Sequence, residues 1–103
     1  MKYNKLVRDK IPEIIKNKDK KPFTHIANKK EYWIKLLDKL KEEIKEFSKQ
    51  NSEEEFVDIL EVLDAIGNYM EYNKDEIKEI KRKKQIERGG FRERIILERV
   101  EET

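Results

Sequence analysis

Two short acidic motifs contain the residues of this sequence that are best suited to chemistry. Glu42-Glu43-Ile-Lys-Glu46 is followed, after a short polar segment, by Glu55-Phe-Val-Asp58. In each motif two acidic residues lie three positions apart, so on a helix they project from the same side. Four carboxylates brought together would repel one another and raise each other's pKa, a conflict that a hard divalent cation removes. Because all-oxygen ligation favours magnesium or manganese over zinc, the pattern is that of a metal site.

The two motifs are predicted to lie side by side. The segment between them, Lys49-Gln50-Asn51, is short enough to force the flanking helices into an antiparallel hairpin. A fold about residue 50 places Glu46 at the level of Glu55. It also places Glu43 at the level of Asp58. The four carboxylates would then converge at one edge of the seam between the two helices.

Two alternatives to this arrangement stay open at the level of the sequence. In a chain that is 47% charged, glutamates with this spacing commonly form a solvated helix face. Glu55 in addition occupies the glutamate position of a capping box, which is a structural role. Glu61 and Asp64 form a second Glu-x-x-Asp pair, although Glu61 points nearly away from the apolar stripe of its helix.

Three capping motifs predict where the helices begin. Asn28, Ser52 and Asn73 each lie three residues before a glutamate, which is the capping-box pattern or its asparagine variant. Helices are therefore predicted to start near residues 29, 53 and 74. The first two carry apolar side chains at spacings of three and four, whereas the third is densely charged. Gly89-Gly90 is expected to end the third helix.

Shorter elements are predicted outside these three helices. Residues 9–18 should form a short helix with Asp9 as its N-cap, and Pro12 is tolerated in its first turn. Residues 22–27 and 91–100 have patterns that predict two strands, which could pair with each other. The predicted fold class is an all-α, antiparallel helical bundle with a minor two-stranded β element, completed by oligomerisation.

The composition sets limits on the size of the core and on the compartment. A chain of 103 residues fits one domain over residues 1–103 and can bury only a modest core, so we expect self-association. The sequence has no cysteine, no apolar run long enough to span a membrane, and no signal-peptide core in its opening MKYNKLVRDK. These features predict a cytoplasmic protein that does not enter a membrane.

The acidic motifs and both ends of the chain resemble a known family. Glu-Glu-x-x-Glu at 42–46 followed by Glu-x-x-Asp at 55–58 is similar to the signature of the MazG-like, all-α nucleoside triphosphate pyrophosphohydrolases, a superfamily that includes phosphoribosyl-ATP pyrophosphohydrolase. The opening Lys5-Leu-Val-Arg8-Asp-Lys-Ile-Pro12 and the closing Glu87-Arg88-Gly-Gly-Phe91-x-x-Arg94-Ile resemble a small subgroup of that family. The resemblance spans nearly the whole chain.

The resemblance implies an enzyme with a nucleotide substrate and bound magnesium. Such an enzyme cleaves a nucleoside triphosphate, or phosphoribosyl-ATP, into the monophosphate and pyrophosphate, and works as a homodimer or homotetramer. Glu42 would support the metal ligands rather than bind the ion. The implied metal ligands are Glu43, Glu46, Glu55 and Asp58, and the implied catalytic residues are Glu43, Glu46 and Asp58.

The chain departs from the family pattern in one respect. Only eight residues separate Glu46 from Glu55, where the family usually has a longer gap. Glu61 and Asp64 therefore remain an alternative second half of the metal site. The register of the predicted hairpin favours Glu55 and its partner three residues later.

Cations in the two terminal motifs are candidates for binding the phosphates of the substrate. A leaving pyrophosphate gains negative charge as it departs and needs positive groups near it. The candidates are Lys5, Arg8, Lys84, Arg88 and Arg94.

A non-enzymatic function is the main alternative. The basic stretch from Lys81 to Arg88 could act as a helical interaction module that binds nucleic acid. Acidic residues interleave with these cations and the net charge is only +2, so the sequence does not favour nucleic acid as a partner. Metal dependence separates the two hypotheses, because only the enzyme requires a metal that is lost when Glu46 or Asp58 is neutralised.

Overall fold

The computed structural model describes residues 3–102 and is all-helical over that range. This confirms the all-α prediction. No helix within the described residues has both the length and the apolar character needed to cross a membrane. The helices are α1 (Ile11–Lys16), α2 (Lys29–Lys49), α3 (Glu53–Tyr69) and α4 (Lys74–Arg88).

The chain divides into two compact units. The first ends at Glu71 and contains α1, α2 and α3, and the second begins at Tyr72 and contains α4. This division does not test the prediction of a single domain over residues 1–103, which stays a prediction. All the acidic motifs lie in the first unit.

The three long helices begin where the capping motifs predict. The side chains of Asn28, Ser52 and Asn73 accept hydrogen bonds of 2.9, 3.2 and 3.0 Å from the backbone N–H three residues later. Each bond satisfies one donor that the first helical turn leaves free. Gly89 ends α4 with a φ of 80°, a left-handed conformation that costs glycine little.

The short first helix differs from its prediction at both ends. It covers Ile11–Lys16 rather than residues 9–18, and its N-cap is Lys10, which makes no capping bond with its side chain. Lys10 already has right-handed helical backbone angles, and the N–H of Ile11 donates to the carbonyl of Arg8. Asp9 therefore lies before the cap, and its predicted capping role is wrong.

α2 and α3 form the antiparallel hairpin that the short connection between them predicts. The rings of Phe47 and Phe56 lie 6.1 Å apart beside the turn, and at the far end Trp33 stacks on Tyr69 at 5.3 Å. Leu36 of α2 is 1% exposed and is the most deeply buried residue between them. This hairpin fixes the relative height of the acidic residues on its two helices, whereas a larger bundle is not confirmed.

The predicted β element is not observed. Residues 22–27 and 91–100 have no regular secondary structure, so neither segment forms a strand within the described part of the chain. Large apolar side chains of these segments, including Phe23, Ile26 and Ile95, are exposed. Two strands are marginal unless a packed face supports them, and exposed side chains give no such support.

Truncation of Leu36 should destabilise the hairpin strongly. Leu36→Ala removes buried methyl groups and leaves a cavity, so we expect the free energy of unfolding to fall by about 2–4 kcal/mol. Ile34→Ala is the matched control, because Ile34 lies on the same helix and is 49% exposed. Urea unfolding at equal protein concentration measures both variants. Equal losses would contradict the assignment of Leu36 to the core.

Candidate metal centre

Three carboxylates from the two halves of the hairpin come together. Glu43 of α2 and Glu55 and Asp58 of α3 each offer one oxygen, and these three atoms all lie within 4.8 Å of one another. We call these three residues the carboxylate cluster. Glu43 is only 8% exposed. The antiparallel register places Glu43 opposite the first two turns of α3, where the other two residues lie one helical turn apart.

Glu55 provides the observation within the cluster that points most directly to a cation. Its Oε2 atom is buried, and no hydrogen-bond partner for it exists among the described residues. Burial and the negative charge of Glu43 raise the pKa of Glu55, and Asp58 and Glu46 add to the effect. A desolvated, unpaired oxygen beside two further carboxylates is costly for the protein alone. A hard divalent cation fits this all-oxygen donor set.

Glu46 lies beside the cluster rather than within it. Its charge contributes to the raised pKa of Glu55, but its side chain is exposed and the three-carboxylate group does not include it. An advance of three residues from Glu43 turns the side chain by about 60° around the helix axis. That rotation takes Glu46 toward solvent, so the structure brings together three of the four predicted ligands.

Two cations contact the cluster directly. Nη2 of Arg8 lies 2.7 Å from Oδ1 of Asp58, and Nη1 of the same guanidinium lies 3.3 Å from Oε2 of Glu61. Nζ of Lys39 lies 3.3 Å from Oε1 of Glu43. The hydrogen bond with Asp58 is the main reason that the pKa of Arg8 lies above its ordinary value. Positive groups thus offset part of the negative charge of the cluster.

Lys39 is a residue of this site that the sequence prediction missed. Its side chain is only 18% exposed, and besides Glu43 it contacts Glu42 at 3.4 Å. The signal was present, because Lys39 precedes these residues by three and four positions on one helix. In a chain with so many lysines and glutamates, that spacing alone does not distinguish a half-buried cation from a solvated one.

Glu42 contacts two lysines, and the supporting role that the resemblance implies for it stays a prediction. It accepts a hydrogen bond of 3.0 Å from Nζ of Lys5 in addition to its contact with Lys39. Burial acts to raise the pKa of Glu42, but the hydrogen bond from Lys5 and the charge of Lys39 outweigh it and lower the pKa. Glu42 therefore ties the N-terminal segment to α2 and is not a member of the carboxylate cluster.

The alternative pair, Glu61 and Asp64, occupies a different position. Glu61 contacts Arg8, and Asp64 is exposed on α3. Neither joins the group of carboxylates found among residues 3–102. The geometry therefore places Glu55 and Asp58, not the alternative pair, beside Glu43.

The predicted phosphate-binding residues are divided between the two units. Lys5 and Arg8 lie in the first unit and contact acidic residues of the hairpin. Lys84 and Arg88 belong to α4 in the second unit, and Arg94 follows that helix with a φ of 58°. Only the first two are therefore placed beside the carboxylate motifs by the described contacts.

A cavity of about 560 Å³ opens next to the carboxylate cluster within the first unit. Leu36, Val62 and Ala65 form an apolar part of its wall, and Glu43 and Asp58 form an acidic part. Arg8, Lys5 and Lys39 also line it, so acidic and basic groups share one concave surface. A volume of this size is typical of pockets for small molecules.

No family model, curated protein or solved structure matches this chain. The resemblance to the MazG-like family therefore stays a hypothesis that rests on the residues of its three motifs. What the chain does is inferred from the carboxylate cluster, its cations and the adjoining cavity.

Proposed function

We propose that the chain is a metal-dependent nucleotide pyrophosphohydrolase of the MazG-like type. Its reaction would be the cleavage of a nucleoside triphosphate, or of phosphoribosyl-ATP, to the monophosphate and pyrophosphate. The observation that carries the proposal is the convergence of Glu43, Glu55 and Asp58, with three carboxylate oxygens within 4.8 Å of one another at the edge of a cavity. Magnesium is the proposed ion, and manganese is its proposed substitute.

The carboxylates have distinct proposed tasks. Glu43, Glu55 and Asp58 hold the ion, and the unpaired Oε2 of Glu55 is the oxygen most in need of it. When bound, magnesium would offset phosphate charge and lower the pKa of water, so that hydroxide would be available as a nucleophile near neutral pH. Glu46 is exposed beside the cluster and is not a member of it, so its carboxylate would be free to accept a proton from the attacking water.

The cations of the N-terminal segment are proposed to bind the phosphates. Arg8 and Lys5 line the same cavity as Glu43 and Asp58, so a triphosphate in that cavity would have positive groups within reach. Fixed positive charge stabilises the leaving pyrophosphate as its negative charge develops. Lys84, Arg88 and Arg94 of the second unit are proposed as further phosphate-binding residues on the basis of the resemblance.

We further propose that the protein acts in the cytoplasm as a homodimer or homotetramer. Large apolar side chains of α3, including Phe56, Leu60 and Leu63, are about half exposed in the single chain. Among the described residues, the buried apolar core consists only of Leu36 and Val62, which are 1% and 9% exposed. A second copy that covers α3 would add the apolar burial that so small a core lacks.

Pyrophosphate release from a panel of nucleoside triphosphates, with and without magnesium, tests the proposed reaction. We expect release that requires the metal and that differs among the nucleotides, because a shaped cavity adjoins the cluster. Phosphoribosyl-ATP belongs in the same panel. Folded protein that releases no pyrophosphate from any of these substrates would contradict the proposal.

A further inference from the structure

Arg8 joins one ligand of the proposed metal site to one carboxylate outside it. Its guanidinium lies 2.7 Å from Asp58 and 3.3 Å from Glu61, which are neighbours one turn apart on α3. Only the first of these acceptors belongs to the carboxylate cluster. The same side chain can therefore leave the cluster without losing all of its ion pairing.

We propose that Arg8 is a resident counter-ion of the carboxylate cluster, which a divalent cation displaces from Asp58 and which Glu61 then retains. The inference rests on the proposed function for the identity of the cation. It gives Glu61 a positioning task that neither the sequence nor the resemblance assigns. Arg8, once it has left Asp58, has donors free for the phosphates of a substrate.

The divalent ion and the guanidinium of Arg8 compete for the carboxylate of Asp58 for electrostatic reasons. The guanidinium takes the Oδ1 atom and adds one positive charge at hydrogen-bond distance from this carboxylate. A divalent ion must approach an oxygen of the same carboxylate to about 2.0–2.6 Å. On either oxygen, the ion and the guanidinium would share one small anion and repel each other at close range. Metal binding and the contact between Arg8 and Asp58 therefore oppose each other.

The rest of the N-terminal segment is held by contacts that do not involve the cluster. Nζ of Lys35 donates a hydrogen bond of 2.7 Å to the carbonyl of Asn4, and Lys5 pairs with Glu42 at 3.0 Å. These attachments keep the backbone of the segment on α2 when the guanidinium of Arg8 changes its partner. The movement required is thus a change of side-chain conformation, and the segment does not need to detach.

Manganese titrations of the metal-free protein test the displacement without any assay of activity. Arg8→Gln should bind the ion about fivefold more tightly than the unchanged protein, because a half-exposed ion pair no longer competes. Glu61→Gln should bind it about twofold more weakly, since Arg8 then has Asp58 as its only acceptor. Arg8→Lys should fall between the unchanged protein and Arg8→Gln, because it keeps the charge but cannot span both carboxylates.

Lys5→Gln is the control for a general change of charge. Lys5 lies in the same segment, carries the same charge and pairs with Glu42, which lies outside the cluster. Its effect on manganese affinity should stay below about twofold. Equal effects of Arg8→Gln and Lys5→Gln, or weaker binding by Arg8→Gln, would overturn the displacement while leaving the proposed function intact. Failure of the unchanged protein to bind manganese would overturn both.

Discussion

Asp58→Asn should reduce metal-dependent pyrophosphate release by roughly a hundredfold or more, since tenfold in rate corresponds to only about 1.4 kcal/mol of transition-state stabilisation. The substitution keeps the size of the side chain and removes the negative charge that the proposed ion would receive from its third ligand, beside Glu43 and Glu55. It also removes the 2.7 Å ion pair with Arg8, which the proposed ion displaces in any case, so the expected loss comes from the missing metal ligand. Initial rates at saturating magnesium measure the effect.

Asp64→Asn is the matched control for this variant. Asp64 lies on the same helix, is exposed, and belongs to the alternative Glu-x-x-Asp pair. We expect its rate to stay within about twofold of the unchanged protein, because surface substitutions away from a site have small effects. A large loss in Asp64→Asn with activity retained in Asp58→Asn would move the site to the alternative pair. Thermal melts of both variants separate lost chemistry from lost folding.

Glu55→Gln should stabilise the metal-free protein at neutral pH and abolish its stabilisation by magnesium. Burial and the charge of Glu43 raise the pKa of Glu55, so in the folded state its ionised form is disfavoured. The metal-free protein should therefore gain stability from Glu55 as the pH falls toward the ordinary range of glutamate, and lose it as the pH rises. The glutamine variant lacks this pH dependence because it cannot ionise.

The same variant should lose the stabilisation that magnesium gives to the unchanged protein. An ion that binds only the folded state stabilises it by about 2.7 kcal/mol at a concentration of one hundred times the dissociation constant. The unchanged protein should show this gain in thermal melts, and Glu55→Gln should not. Glu54→Gln, one residue earlier on α3 and exposed, should keep the response. Identical behaviour of the two variants would show that the cluster does not hold the ion.

The helices were predictable because their signals are local. Asn28, Ser52 and Asn73 accept the capping hydrogen bonds that their spacing predicts, and Gly89 ends α4. The hairpin was predictable as well, because a connection of only three polar residues forces the two helices into an antiparallel arrangement. From these two facts the level of Glu43 relative to the second acidic motif follows by simple counting.

The contacts that complete the site depend on the tertiary structure and were less predictable. The pairing of Arg8 with Asp58 joins residues 50 positions apart, and no local pattern specifies it. Lys39 had a local signal, but that signal is common in so charged a chain. The prediction of a strand over residues 91–100 was wrong. An alternating pattern forms a strand only where other elements pack against one of its faces, and that condition cannot be read from the pattern itself.

The most direct test of the metal site is a manganese titration, measured by calorimetry, of two charge-matched triple variants. The first replaces the carboxylate cluster (Glu43→Gln, Glu55→Gln, Asp58→Asn), and the second replaces exposed acidic residues of α3 (Glu53→Gln, Glu54→Gln, Asp64→Asn). Both lose three negative charges, so a general electrostatic effect would weaken binding equally. We expect the unchanged protein and the second variant to bind one ion per chain, and the first to bind none. Equal binding by the two triple variants would contradict the assignment of the metal to the cluster.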